Sequence, residues 1–374
     1  MGRIEVEGME ICYGRFLVVQ GLHAMFVYDL NRETEVFRYT AFEDDELSWA
    51  YSRSEVVNLE LDLFFPFAAT PSEEANREPS MSMCKISPSG FVTIRDWPGQ
   101  SVDASFFVGT EFVIIEEFDP APIRLIHLAS MKAYPMSSRY MDEINNYPSL
   151  TITAFVPGGY VLLCFTDEFE GSLRDHYFEL YCLPDPALLP GGTALYPTHR
   201  GHYHHSEDHF ESGRFLSSNV STNGLTGSIY LVVHLFKKWR LCFLRVMLQE
   251  DGNLILRLDN TDLPEVFWET PSPSNSVTRV RDVAFMRDGH RLPGEEDWLL
   301  CDMHMDSEGE PCVRTSKVTI PAEPAYHVLC LDIFRGRLIS AGYHKGDSSR
   351  EEIRFLEIGC PNPVDGHPLS TRVA

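Results

Sequence analysis

The chain has 374 residues, 44% hydrophobic and 23% charged, which is ample material for a globular core. Its 55 acidic residues outnumber 31 basic ones, giving a formal net charge of -24. A surface of that sign repels phosphate backbones and anionic lipids, so no nucleic-acid and no membrane partner is expected. The nearest approach to a basic patch, Lys237, Lys238 and Arg240, is too small to reverse this.

The N-terminal stretch MGRIEVEGMEI has no apolar core of the kind a secretory signal needs, so secretion is not expected. Gly2 invites N-myristoylation, but Val6 stands where Ser or Thr is wanted. The longest apolar runs fall well short of the ~20 residues of a membrane span. Asn219-Val220-Ser221 is a formal glycosylation sequon that would go unused inside a cell. The cysteines are Cys12, Cys84, Cys164, Cys182, Cys242, Cys301, Cys312, Cys330 and Cys360. Their number is odd, no pair has C-x-x-C spacing, and most lie in apolar runs where a free thiol packs as a small hydrophobe. Reduced thiols in a cytoplasmic or nuclear protein are expected.

In chain order, Phe16–Val19 and Ala24–Leu30 read as a first hairpin around Gln20–His23, and Asn31–Thr34 turns into Val36–Tyr39. Val56–Phe65 is a strand candidate, and Thr70–Ser80, with Pro71 and Pro79, is an exposed loop. Met83–Ile86 and Phe91–Ile94 flank the turn Ser87-Pro88-Ser89-Gly90. Phe112–Ile115 and Ile123–Leu128 form a hairpin across an acidic, proline-containing turn. Leu150–Pro157, Tyr160–Phe165 and His176–Leu183 follow, and Pro184–Pro197 is a connection. His199–Ser212 is polar and rich in histidine. Ile229–Phe236 and Trp239–Val246 make a hairpin, and Leu254–Leu258 follows the tight turn Asp251-Gly252. Thr278–Arg287, Trp298–Met303, Val313–Ile320, Tyr326–Ile333, Leu338–Tyr343 and Ile353–Ile358 complete the ordered part.

No segment has a capped 3.6-residue apolar period. Runs such as Phe112–Ile115 and Val161–Phe165 lack polar alternation, which implies strands covered on both faces. About seven units, each of roughly 40–60 residues, fit the period of propeller blades, whose sheets stack face to face. The expected fold is therefore all-β: one β-propeller over residues 1–360 with about seven divergent blades, and a loose tail over 361–374. Six-bladed closure and a pair of β-sandwich domains are the alternatives.

Two groups of side chains invite chemistry. His199, His202, His204, His205 and His209, beside Glu207 and Asp208, would suit a divalent metal, and His202 and His204 share a face if the backbone is extended. Their spacing matches no zinc motif, and a solvated loop is the expectation. Acids recur at Glu43–Glu46, at Glu116, Glu117 and Asp119, and at Asp167, Glu168 and Glu170. Propeller glycosidases gather such groups at the axis, whereas solvated hairpin bends explain them without chemistry. Nucleophile-elbow, phosphate-loop, dinucleotide and H-E-x-x-H motifs are missing, as are WD dipeptides and sialidase Asp-boxes. Gly158-Gly159-Tyr160 is one isolated diglycine. Leu263-Pro264-Glu265-Val266 looks like the Leu-Pro opening of an F-box but runs into a proline-rich stretch that cannot be helical. No catalytic residue, cofactor or metal is assigned.

A repeated phrase, two apolar strands ending in an Asp-Leu or His-Leu turn, runs from Phe16–Val19 to Val27-Tyr28-Asp29-Leu30 and from Val113-Ile114-Ile115 to Leu125-Ile126-His127-Leu128. In this phrase the chain resembles the propeller-like C-terminal region of fungal, mushroom-type F-box proteins. The F-box itself is absent from the sequence. The resemblance implies a monomeric, intracellular protein-interaction module, the substrate-receptor part of an F-box-type protein. A propeller hydrolase of glycosidase or lactonase type, with carboxylates or histidines at the axis, is the alternative.

Overall fold

A computed structural model describes residues 6–13, 15–41, 45–49, 52–53, 62–71, 78–97, 104–117, 123–138, 149–166, 174–205, 210–221, 226–235, 240–259, 282–287, 295–321, 325–332, 337–344, 347–357 and 372–373. Among them the strands fall into seven sheets that follow one another along the chain. The first contains β1 (Val6–Cys12), β2 (Phe16–Gly21), β3 (Ala24–Asp29) and β4 (Thr34–Thr40). The second contains β5 (Glu46–Trp49) and then, beyond the short β6 (Ser52–Arg53), β7 (Leu63–Thr70), β8 (Ser80–Ile86) and β9 (Val92–Asp96). The third is β10 (Ser105–Val108), β11 (Phe112–Glu116), β12 (Arg124–His127) and β13 (Ala133–Pro135), with β6 added in parallel beside β10. The fourth is β14 (Ser149–Val156), β15 (Tyr160–Thr166), β16 (Arg174–Cys182) and β17 (His199–His205). The fifth is β18 (Phe210–Ser218), β19 (Gly227–Leu235), β20 (Arg240–Leu248) and β21 (Leu254–Asp259). The sixth is β22 (Asp282–Arg287), β23 (Glu295–Met305) and β24 (Pro311–Pro321). The seventh is β25 (Ala325–Asp332), β26 (Arg337–His344), β27 (Asp347–Glu357) and β28 (Arg372–Val373).

The apolar runs have the physical cause that their lack of alternation implied. Successive side chains of a strand point to opposite faces, and here both faces meet a neighbouring sheet. On β15, Tyr160, Leu162 and Cys164 enter the core shared with the fifth sheet, while Val161, Leu163 and Phe165 enter the core shared with the third. On β11, Phe112 and Ile114 face the fourth sheet, and Val113 and Ile115 face the second. On β2, Phe16 and Val18 face the second sheet, while Leu17 and Val19 pack with Ile339 of the seventh. Each such side chain contributes about 1.5–3 kcal/mol by leaving water.

First strands of neighbouring sheets approach each other, β14 against β18 and β1 against β25. Gly213 of β18 makes the former approach possible: a Cβ there would sit 2.7 Å from Ile152 Cδ1 of β14. The contact of β1 with β25 closes the ring, and the protein is a seven-bladed β-propeller. Among the described residues β1 pairs within blade one and β28 within blade seven, and the two blades meet through side-chain packing.

Two expectations change, and one strand is new. Val6–Cys12, to which the sequence pattern assigned no element, is the first strand of blade one. His199–Ser212, expected as a solvated loop, supplies β17 and the start of β18. Their polar side chains conceal strands that are recruited by backbone pairing to the apolar partners β16 and β19. In the expected tail, Arg372 and Val373 pair with Glu357 and Leu356 to give blade seven its fourth strand.

The acids at bends also divide. Glu116 is not a solvated turn residue. It ends β11, is half-buried at the junction of blades three and four, and accepts a hydrogen bond from the Leu150 amide at 2.9 Å. Burial pushes its carboxyl up to about 7, and the Leu150 hydrogen bond opposes that shift. Between about pH 4.5, where an unfolded glutamate releases its proton, and about pH 7, the folded chain holds more protons. Stability from this group therefore falls as pH rises through that window. Thermal melts at pH 5 and pH 7.5 should show a smaller decline in Glu116→Gln than in the native chain. Equal declines would remove Glu116 as the cause.

Candidate functional site

The residues richest in chemistry lie on the two outer strands of blade four. Antiparallel pairing sets Asp175 opposite His204, Tyr177 opposite His202, and Glu179 opposite Arg200. Since side chains alternate, these six share the face turned toward blade three, where Tyr177 and Tyr181 join the core. His176, Phe178 and Leu180 point the other way, toward blade five.

At the end of this polar column, His204 Nδ1 is hydrogen-bonded to Asp175 Oδ1, and His202 Nε2 lies 3.3 Å from the same oxygen. The His202 ring stacks on Tyr177, with centroids 4.9 Å apart and planes 16° apart. One donor atom from each of Asp175, His202 and His204 lies within 4.8 Å of the others. All three side chains reach solvent. Burial pushes the Asp175 carboxyl up, but the His204 hydrogen bond and the two imidazoles outweigh it and hold it below the usual range.

Deeper in the column Glu179 is fully buried. Tyr181 Oη donates to Glu179 Oε2 at 2.6 Å. Arg200 Nε lies 3.3 Å from Oε1, an ion pair out of line for a hydrogen bond. Burial raises the Glu179 carboxyl, opposed by Tyr181, Ser138 and Arg200.

On the opposite face His176 is buried and doubly bonded. The Phe210 amide donates to its Nε2 at 3.2 Å, so in the neutral ring Nδ1 carries the proton and donates to Thr166 Oγ1 at 2.9 Å. Thr166 then donates to Thr151 Oγ1 at 3.0 Å, and Thr151 donates to Cys164 O at 3.2 Å. One directed chain of hydrogen bonds thus joins β14, β15 and β16 to the first residue of blade five.

The connection from β16 to β17 (183–198) does not stay on blade four. It crosses to the outer edge of blade three and returns. Gly192 N donates to Ala133 O at 2.7 Å, Leu195 N to Pro135 O at 2.8 Å, and Ser137 N to Leu195 O at 2.8 Å. Lys132 Nζ reaches Pro186 O at 2.5 Å, and Tyr134 Oη reaches Leu189 O at 3.2 Å. This clasp covers the edge of β13, which would otherwise offer unpaired backbone groups. It leaves Leu188 83% and Tyr196 68% exposed, and the turn bonded to it leaves Met131 49% exposed.

The described histidines of the cluster therefore divide between two places. His199 is buried and bonds through Nε2 to Gln249 O at 3.0 Å, tying blade four to the β20–β21 turn. His202 and His204 join Asp175. The partner was invisible in sequence, because Asp175 and His204 are 29 residues apart and only strand register unites them. His205 ends β17, while Glu207, Asp208 and His209 lie outside the described residues, as do Glu43, Asp119, Asp167, Glu168, Glu170 and the stretch 263–266. Glu46 begins β5 and is exposed. Glu117 pairs with Arg124. The Asp175 group sits on outer strands, away from the ring centre.

The residues carrying the repeated phrase are turn caps. Asp29, at the end of β3, accepts the Asn31 amide at 2.9 Å and both Arg15 Nε and Nη2, at 3.1 and 2.5 Å. Arg15 foremost holds its carboxyl down at about 2 against burial. His127, at the matching bend of blade three, holds Ser130 Oγ at 2.8 Å. Cys12, Cys84, Cys164, Cys182, Cys242 and Cys312 form no disulfide, and burial pushes Cys84 up to about 12, far from reactivity.

No protein-family model and no curated protein matches the chain. Among solved structures it is similar to the WD40 domain of SCAP from fission yeast, at 10% identity over 90% of this chain and 82% of that one, with a TM-score of 0.42. It is similar to the extracellular domains 1-2 of Drosophila Semaphorin 1b, at 9% identity over 91% and 83%, TM-score 0.41. Kluyveromyces lactis Hsv2 gives 10% identity over 94% and 98%, TM-score 0.37. At these levels the likenesses add nothing to the blade order, which alone defines the propeller.

Proposed function

We propose that this propeller is a protein-interaction module whose contact surface is the clasp between blades three and four. The observation that carries the reading is the exposure of Leu188 and Tyr196 on a segment held by five hydrogen bonds to blade three and the residues that follow it, with Met131 on the adjoining turn. Large apolar side chains on a pre-ordered loop lose little entropy on binding, which is how anchoring residues of interfaces act. The net charge of -24 favours a partner segment that is basic and carries apolar residues to meet these anchors. In the finer form of this reading, drawn from the resemblance to fungal F-box proteins, the module is an intracellular, monomeric substrate receptor.

The test is affinity capture with the tagged chain from fungal lysate, comparing the native protein with a Leu188→Ala/Tyr196→Ala double variant by quantitative mass spectrometry. A stoichiometric partner whose recovery drops at least about tenfold in the variant is expected, the loss two anchor truncations of about 1–2 kcal/mol each would give. Equal recovery by both forms, or none by either, would sink the assignment to this surface. Co-recovery of the ubiquitin-ligase adaptor decides the finer form.

A further inference from the structure

We propose that Asp175, His202 and His204 form a binding site for one divalent transition-metal ion of the zinc class on the outer strands of blade four. One carboxylate and two imidazoles make a donor set suited to a borderline-soft cation. Zinc bonds of about 2.0–2.1 Å in a tetrahedron bring ligand atoms to about 3.3 Å of one another. His202 Nε2 already stands 3.3 Å from Asp175 Oδ1, His204 Nδ1 is hydrogen-bonded to that oxygen, and all three donor atoms lie within 4.8 Å. Small side-chain rotations about one shared point complete the geometry.

Three features prepare the site. The ligands stand on paired strands, with Asp175 on β16 and both histidines two residues apart on β17, so the backbone fixes their common face. Tyr177 stacks on the His202 ring and limits its rotation. A metal taking His204 Nδ1 would displace the hydrogen bond to Asp175, and the ring would carry its proton on Nε2 instead, a tautomer change that leaves the imidazole neutral. The site opens outward, leaving a fourth position for water. A bound ion would cross-link the two outermost strands of the blade, next to the clasp that leaves β16 and re-enters β17.

The competing account is a surface Asp–His hydrogen-bonded cluster with no affinity for metal. The full chain, stripped with chelator, should be titrated with zinc by calorimetry and with cobalt(II) as a visible chromophore. One equivalent is expected, with a dissociation constant of about 10 µM or tighter, together with a tetrahedral cobalt spectrum. His202→Gln, His204→Gln and Asp175→Asn should each weaken binding by about tenfold or more. Both histidines are half-exposed, so these variants should fold, as far-UV circular dichroism would show. If one does not, the imidazole resonances of the native chain serve instead: zinc should shift two of them and leave that of buried His199 in place. Saturation absent below about 1 mM, or binding unchanged in the His202 and His204 variants, overturns the proposal. Partner capture by Leu188 and Tyr196 is measured separately, so either reading can fail alone.

Discussion

Replacing His176 with alanine should destabilise the protein by about 3 kcal/mol, combining a buried cavity with broken polar contacts. The ring is fully buried and packs on Phe210, with centroids 4.4 Å apart. Removing it deprives the Phe210 amide of its acceptor and Thr166 Oγ1 of its donor. Thr166 retains its bond to Thr151, so the amide bears the larger share of the polar cost. His176→Phe separates the two parts: it refills the cavity but leaves the amide unpaired, and should recover roughly half of the loss. The measurement is the urea midpoint of native, His176→Ala and His176→Phe chains, compared at constant m-value. Full recovery by phenylalanine would mean that the hydrogen-bonded chain contributes nothing and the ring acts only by its volume.

Arg200→Met should destabilise by about 2 kcal/mol at neutral pH, because it removes the cation beside the buried Glu179 carboxylate. The value is set below that of a fully buried pair because the Arg200 side chain is 37% exposed and its charge is screened by solvent. The sign of the pH dependence distinguishes this from lost packing. Burial already raises the folded Glu179 above its unfolded value, so its ionised form opposes folding from about pH 4.5 upward. Without Arg200 the carboxyl rises further and that window widens. The deficit should be larger at pH 8 than at pH 5, because the raised Glu179 carboxyl takes up its proton as pH falls while Tyr181 stays bonded to it. Urea midpoints of both chains at pH 5 and pH 8 provide the check. A deficit equal at both values would assign the cost to the aliphatic stem of Arg200 rather than to its charge.

Asp29 runs in the opposite sense. Its depressed carboxyl contributes stability above its ordinary range, near 3.8, and loses it as pH falls toward about 2. Glu116 and Glu179 therefore pull the optimum down from neutral pH, and Asp29 limits how far it moves.

Sequence alone determined the class and the repeat. Val161–Phe165 and Phe112–Ile115 have no polar alternation, and only a strand sandwiched between two sheets is stable with that pattern; both lie between blades as that argument requires. The turns were legible for the same local reason: Gly158 and Gly252 take the left-handed φ values of 99° and 83° that their bends demand. What the tertiary structure decided is everything carried by register across distance. β17 and β18 have too few apolar residues to announce themselves, and they are strands because β16 and β19 pair with them. The clasp looked like a bare connection, since nothing local in Pro184–Pro197 points to the edge of β13. Asp175 meets His202 and His204 because an antiparallel ladder folds that segment back with one residue parity and not the other; a shift of one position would turn both histidines onto the face opposite Asp175.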